Sequence, residues 1–290
     1  MPIVRVGALG QGHHYRAIKS QVMIGATIAA TVLALVPLFL VLGYLFTKGA
    51  ASLNWDFFTK MPAPVAQRGG GMANAIVGTF EIVAVACLIG IPVGVGAGIY
   101  LAENRGRHLG QTIRFAADIL MGLPSIVVGI FVYAVVVRPM GGFSTLAGSI
   151  ALAIIMIPLV TRTTEEMILL VPDELREAAL ALGVPRWRTT LSVVARAATS
   201  GIATGVILAI ARVAGETAPL LFTAFGNRFW STSLTQPIAS LTVQVYTYAI
   251  SPFADWQRQA WAGALVLTAI VLALELGVRW VTRGAARVAK

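Results

Sequence analysis

Arg212 and Glu216 stand four positions apart inside the apolar stretch "GVILAIARVAGETAPLLF", residues 205–222. On a helix that spacing puts both on one face. A charge near the centre of a bilayer costs roughly 2.5–3.5 kcal/mol on insertion scales, so it is kept where it meets a partner or an aqueous path. A second arginine, Arg162, lies inside another apolar stretch, with Glu165 and Glu166 about one turn further on. Guanidinium is a planar fork of N–H donors that matches two oxygens of a phosphate or carboxylate. The chemistry this suggests is passage of an oxyanion, with Glu216 holding Arg212 between anions and releasing it when one arrives. A self-neutralising pair that fixes helix register is the structural alternative, but it leaves Arg162 unexplained.

The elements that carry these charges are membrane helices. Of 290 residues, 57% are hydrophobic and 12% charged, where a soluble domain has about 25% charged. Several runs of about 20 apolar residues suit a hydrocarbon layer of roughly 30 Å. The expected architecture is an all-α polytopic membrane protein of six transmembrane helices, near 21–47, 73–101, 113–137, 144–170, 198–224 and 259–281. Residues 1–20 read as a cytoplasmic tail, in which His13 and His14 are incidental, and 21–290 as one transmembrane domain. A cytoplasmic loop covers 171–197 and an extracytoplasmic loop 226–258. With both termini cytoplasmic, fourteen Lys and Arg fall on the inner side and six outside, as the positive-inside rule requires. The net charge of +10 is explained by that asymmetry, without nucleic acid. On these spans Arg212 lies about 21 Å and Arg162 about 12 Å from the inner helix ends.

The inner loop reads as a docking element. Pro172, then Asp173 and Glu174, open a short helix, and Gly183 stands past its end, where a left-handed residue is wanted. Leu175, Ala178, Ala179 and Leu182 follow helical spacing and give one small apolar face. After Gly183, Pro185 opens a second short helix bearing Arg186, Trp187 and Arg188. A helix resting on lipid would show the same periodicity.

At this point the sequence resembles a family. "EAALALG" (177–183) is similar to the EAA loop of ABC importer permeases, with Glu177, Ala178, Ala179 and Gly183 at its most characteristic positions. The ending departs, because "VVAR" (193–196) stands where that motif has Ile-x-Leu-Pro. "GETAPLL" (215–221), "DILMGLPSIVVGIF" (118–131), "PLVTRTTEEMILLVPDELREAALALG" (158–183) and the stretch 69–103 resemble the A-type membrane subunit of phosphate-specific ABC importers. The resemblance implies the type I ABC importer permease fold in a bacterial plasma (inner) membrane, with inorganic phosphate as cargo. It implies as partners a homologous permease subunit, two ATP-hydrolysing subunits and an extracytoplasmic phosphate-binding protein. Glu174, Glu177, Ala178, Ala179, Leu182 and Gly183 would dock an ATP-hydrolysing subunit, and Arg162, Arg212 and Glu216 would line the substrate pathway.

Pro124 is a candidate break in the third span, letting Ser125 or freed N–H groups line a cavity; a plain kink is the alternative. Pro92 and Pro158, with the glycines at 90, 94, 96 and 98, allow close helix contacts. Glu81, Asp118 and Glu275 are read as structural, Glu81 pairing with a basic residue across the bundle, and Asn74 as an interfacial helix start. No G-x-x-x-x-G-K-[ST], G-x-S-x-G or H-E-x-x-H occurs, so ATP, with its magnesium, is expected on partner subunits and not on this chain, which is expected to be no enzyme. Cys87 is the single cysteine, which excludes an internal disulfide and a cysteine-rich metal site. A permease for sulfate or molybdate, and an ion-driven secondary transporter with Glu216 as proton site, are the remaining readings.

Overall fold

The structure, a computed structural model, describes residues 10–65, 67 and 69–288, with side-chain surroundings given for 15–277 of these. Part of the expected tail (1–9), Arg68 and Lys290 in the charge count, and the side chains of His13 and His14 lie outside those limits. The chain divides between Lys48 and Gly49 into two units. Helix α1 (Gly10–Ala50) makes up the first nearly alone. It begins at Gly10, so residues 10–20 are helical. Its 41 residues extend about 60 Å, more than a hydrocarbon layer.

The described residues of the second unit are all helix and loop. After the short α2 (Trp55–Thr59) come α3 (Ala73–Glu103), α4 (His108–Gly122), α5 (Ser125–Met140), α6 (Thr145–Leu169), α7 (Asp173–Ala181), α8 (Arg186–Ala197), α9 (Thr199–Ala214), α10 (Ala218–Leu221), α11 (Leu241–Ala249) and α12 (Ala254–Val288). Helices α1, α3, α6 and α12 are each long and apolar enough to cross a membrane; the pairs α4–α5 and α8–α9 add two bent spans, giving up to six.

Both bends have local causes. α4 and α5 meet at 105° because Pro124 has no N–H to give and forces Leu123 out of the helical region. Leu123 is extended at φ −73°, ψ 135°. α8 and α9 meet at 71° around Ala198, just beyond a π-helical segment at Thr190–Val194.

The fifth span differs from expectation. Its helix stops at Ala214, and the chain turns through Gly215, Glu216 and Thr217 before α10. Pro219 is the cause: in a continuous helix its ring would strike the carbonyl of Gly215. The bent pair therefore covers 186–214 rather than 198–224.

α3 and α6 pack along their length through a small-residue stripe. A Cβ on Gly94 would lie 2.7 Å from Val160 Cβ, and one on Gly98 2.6 Å from the Thr161 carbonyl oxygen, whereas Gly96 faces open space. Ser149 Oγ donates to the Ile82 carbonyl at 3.0 Å, a polar contact between the same helices. Around this seam Ile82, Leu152, Met156, Val160, Val213 and Leu220 form the largest buried apolar cluster. α9 runs antiparallel to α6, since a Cβ on Gly201 would meet Met167 and one on Gly205 would meet Thr163.

Candidate functional site

α7 forms where the spacing predicts it. Pro172 caps its start, Asp173 and Glu174 occupy the first turn, and Gly183 takes φ +79° just past Leu182. Gly183 N donates to Leu180 O at 2.9 Å and Val184 N to Ala179 O at 3.1 Å, which satisfies carbonyls left over at the helix end. The apolar face divides. Ala179 is buried at 8% exposure, while Leu175 is 44% and Leu182 84% exposed; Glu174, Glu177 and Ala178 are also exposed. Ala179 thus fastens the helix to the body, leaving Leu175, Ala178 and Leu182 outward, where one face of four was expected.

One turn before Ala179, Arg176 joins α7 to the end of α3. Its guanidinium pairs with Glu103 and lies 3.5 Å from Asp173, and Nη2 donates to the Ile168 carbonyl at 3.3 Å. No motif pointed to this link, which joins positions far apart in sequence.

Arg162 belongs to a cluster of four charges. Its Nη1 donates to Glu165 Oε2 at 2.9 Å, and its Nε lies 3.3 Å from Asp118 Oδ1 on α4. The second Glu165 oxygen accepts from Arg114 Nε at 2.6 Å. Arg114 also donates through Nη2 to the Leu101 carbonyl at 3.0 Å and through Nη1 to the Arg105 carbonyl at 3.4 Å. Two guanidiniums and two carboxylates cancel, removing most of the cost of holding any one of them there. The sequence did carry a signal: Arg114 and Asp118 are four apart on α4, and Arg162 and Glu165 three apart on α6, so each pair shares a face. Spacing alone does not join the two pairs: Asp118 reads as a structural acid and Arg114 as one of the inner-side charges, and only the packing of α4 on α6 brings them to Arg162 and Glu165.

Arg212 is exposed and Glu216 half-buried. Among the described residues neither side chain has a hydrogen bond or an ion pair. The helix expected to align them ends at Ala214, so the i, i+4 pairing is corrected: Glu216 lies beyond the helix end, its backbone carbonyl accepting from Thr242 Oγ1 at 3.0 Å. Arg212 gains instead from sitting in the last turn of α9, where the helix dipole favours a cation. The α6–α9 register sets Arg212 level with Met156, an axial offset of about 9 Å from Arg162 at 1.5 Å per residue.

Pro124 is the N-cap of α5 and is exposed; Ser125 follows as its first residue. α5 then packs on α10, with a Cβ on Gly129 only 2.7 Å from Pro219 Cα. The helix that follows the break in the third span therefore lies against the segment that interrupts the fifth. Two readings of single acids and amides change. Asn74 is buried at 4% and donates through Nδ2 to the Asn227 carbonyl at 2.8 Å, so it joins α3 to the loop after α10 rather than lying at an interface. Glu81 and Glu275 have no ion pair among the described residues.

Between α10 and α11 a cavity of about 250 Å³ is lined by Asn227, Arg228, Ser240, Gln244, Thr247 and Tyr248, among others. Gln244 Nε2 and Tyr248 Oη are buried without a hydrogen-bond partner, and Arg228 stands 5.1 Å over the Trp256 ring. Burial pushes the Tyr248 phenol above its ordinary value; Gln244, and then Arg228, pull it partly back, although no hydrogen bond closes between Gln244 and Tyr248.

Comparison with known proteins decides the family. Residues 94–287 match the family described as binding-protein-dependent transport system inner membrane component. The phosphate transport system permease protein PstA of Yersinia pestis is 50% identical over 266 residues, covering 91% of this chain and 90% of its own length. The chain belongs to this permease family. The PstA protein of Haemophilus influenzae is 48% identical over 268 residues, 92% of this chain and 94% of its own, and a probable PstA of Methanocaldococcus jannaschii is 36% identical over 266, 91% of this chain and 94% of its own.

Solved permeases share the fold at low identity. One is from a bacterial ABC transporter that imports the acidic polysaccharide alginate, with a TM-score of 0.65 at 13% identity, covering 93% of this chain and 98% of that one. Another is from the MetNI methionine ABC transporter, with a TM-score of 0.61 at 18% identity, covering 73% and 96%. As a permease of this family the chain is an all-helical, multi-pass membrane component, and α7 lies in the connection between α6 and α8.

Proposed function

We propose that this chain conducts inorganic phosphate into a bacterial cell as one of two homologous permease subunits of an ATP-driven importer. The observation that carries this is the near-half identity, over nine-tenths of the chain, to permeases named for phosphate transport. Sulfate and molybdate are the same chemistry for a guanidinium and are disfavoured by that likeness alone.

In this reading two ATP-hydrolysing subunits, which carry the ATP and magnesium, sit beneath the membrane. One of them covers Glu174, Glu177, Ala178, Leu182 and Gly183 on α7, with Ala179 holding that helix in place. An extracytoplasmic phosphate-binding protein delivers cargo above, and both termini of the chain are cytoplasmic. Nucleotide-driven approach of the docking helices is a rigid-body input, and α7 is joined firmly enough to α3 through Arg176 to pass it on. Arg162, Arg212 and Glu216 line the path, and the helix break at Pro124 and Ser125 borders it.

The chemistry of the path follows from charge. A hydrated phosphate surrenders water only where donors replace it, and the guanidinium of Arg212, with no counterion among the described residues, supplies up to five N–H groups. Glu216 then repels the anion from the same neighbourhood, keeping it from binding too tightly to leave.

The test is uptake of labelled phosphate by vesicles holding the reconstituted complex, with and without ATP on the nucleotide side and with excess sulfate as competitor. ATP-dependent uptake that sulfate leaves untouched is expected, and its loss in Arg212→Ala at normal complex levels. Preferential sulfate uptake, or full phosphate uptake by Arg212→Ala, overturns the assignment.

A further inference from the structure

The two carboxylates on Arg162 are held very differently. Glu165 is 4% exposed in its side chain, and each of its oxygens is fixed by an arginine, Oε2 by Arg162 and Oε1 by Arg114. Its departure would strip two half-buried guanidiniums of a shared, closely held carboxylate. Asp118 is 52% exposed in its side chain, stands 3.3 Å from Arg162 Nε, and makes no hydrogen bond there. Its departure costs less than that of Glu165, because half of its side chain lies outside the chain's own packing.

The unused donors of Arg162 lie on the Asp118 side. Nη1 is committed to Glu165, while Nε has only the long contact and Nη2 has no partner among the described residues. Nε and Nη2 form one edge of the guanidinium, the edge that takes two oxygens of a tetrahedral or planar anion side by side. Asp118 touches one end of it.

Resting on the reading of Arg162 as a pathway residue, we propose that Asp118 is the exchangeable counterion of Arg162: an oxyanion displaces it from the Nε–Nη2 edge, and its return expels the oxyanion. Glu165 stays throughout and, steadied by Arg114, holds the guanidinium in position. Asp118 and the cargo cannot share the edge, since two anions at that distance repel strongly. This is the role that residue spacing suggested for Glu216 on Arg212. Here it falls on a residue from another helix, at the second arginine.

The experiment is equilibrium binding of labelled inorganic phosphate to the purified transporter complex, paired with the turnover of ATP-driven uptake in vesicles. Asp118→Asn removes the competing charge, so phosphate should bind about threefold to tenfold more tightly while turnover falls through slower release. Asp118→Glu should stay near the unaltered protein. A role limited to packing would lower the amount of complex and leave phosphate affinity alone. Unchanged or weaker binding by Asp118→Asn overturns the proposal; should that variant fail to assemble, Asp118→Ser carries the same expectation and the same refutation. An Arg162→Ala complex that binds and transports normally would instead sink the pathway reading itself, a result distinguishable from failure of Asp118 alone.

Discussion

Arg114 Nε lies 2.6 Å from Glu165 Oε1, joining α4 to α6 across 51 positions of sequence. The pair matters because Glu165 is also the fixed partner of Arg162, so one buried carboxylate carries two arginines. Arg114 extends the tie to the carbonyls of Leu101 and Arg105 at the end of α3. Three helices therefore meet at Glu165, about one turn before the end of α6.

Glu165 should be the least replaceable of the four charges. Breaking a buried pair by removing one partner typically costs about 3–5 kcal/mol, because the other charge is left uncompensated. Glu165→Leu should therefore destabilise the complex more than Arg114→Met, whose side chain is 23% exposed, and both more than Asp118→Asn. Thermal inactivation of the detergent-solubilised complex checks the order. A Glu165→Leu, Arg114→Met double variant should show a coupling of about 0.5–3 kcal/mol.

The α3–α6 seam gives a contrast between two glycines a half-turn apart. Gly94→Ala drives a methyl to 2.7 Å from Val160 Cβ, deep in the seam, and should cost about 1–3 kcal/mol as overpacking. Gly96→Ala meets nothing within 4 Å and should be neutral, or stabilising by up to about 1 kcal/mol through helix propensity. Melting temperatures of the two purified variants decide; equal effects would contradict the packing described.

Removal of the Arg176–Glu103 tie should uncouple rather than unfold. Arg176→Glu is expected to leave the chain in the membrane and the ATP-hydrolysing subunit bound, while ATP consumption continues with uptake sharply reduced. The reversed pair, Arg176→Glu with Glu103→Arg, should recover a good part of uptake. Failure of the reversal would show that the position tolerates no change, whatever its charge.

The outward face of α7 should bind without contributing to folding. Leu182→Asp changes a side chain that is 84% exposed, so stability of the chain should shift by less than about 0.5 kcal/mol, yet co-purification with the ATP-hydrolysing subunit should be lost. Ala179→Asp, at the buried side of the same helix, should instead lower the amount of folded chain. Gly183→Ala, forced to hold φ +79°, should cost about 1–2 kcal/mol locally and weaken docking in proportion.

Local chemistry made much of this legible from the residues alone. Apolar length points to the helices α3 and α6, and proline with acidic first-turn residues and a closing glycine brackets α7 between Pro172 and Gly183. The break at Pro124 was readable as a candidate, since a proline lacks the N–H and crowds the preceding turn, although Pro37, Pro92 and Pro158 stand inside unbroken helices of the same chain. Pro219 carried the same signal and was passed over, because the apolar run continued through it. That single proline undid the expected alignment of Arg212 with Glu216, since spacing defines a shared face only where the helix persists.

What tertiary structure decided was which charges meet. Charge partners in a low-dielectric interior are set by which helices lie side by side, and that follows from shape: the glycine stripe that brings α3 onto α6, the small residues that bring α9 onto α6, and the bend that turns α4 toward Glu165. None of these is visible in the spacing of Arg114, Asp118 and Glu165 along the chain. The sequence by itself determined that arginines would be kept within apolar segments and that a small helix would form between the fourth and fifth of them. Only the packing assigned Arg162 its two unequal carboxylates and left Arg212 with none among the described residues, because electrostatic attraction acts across space and a linear order of residues contains no distances.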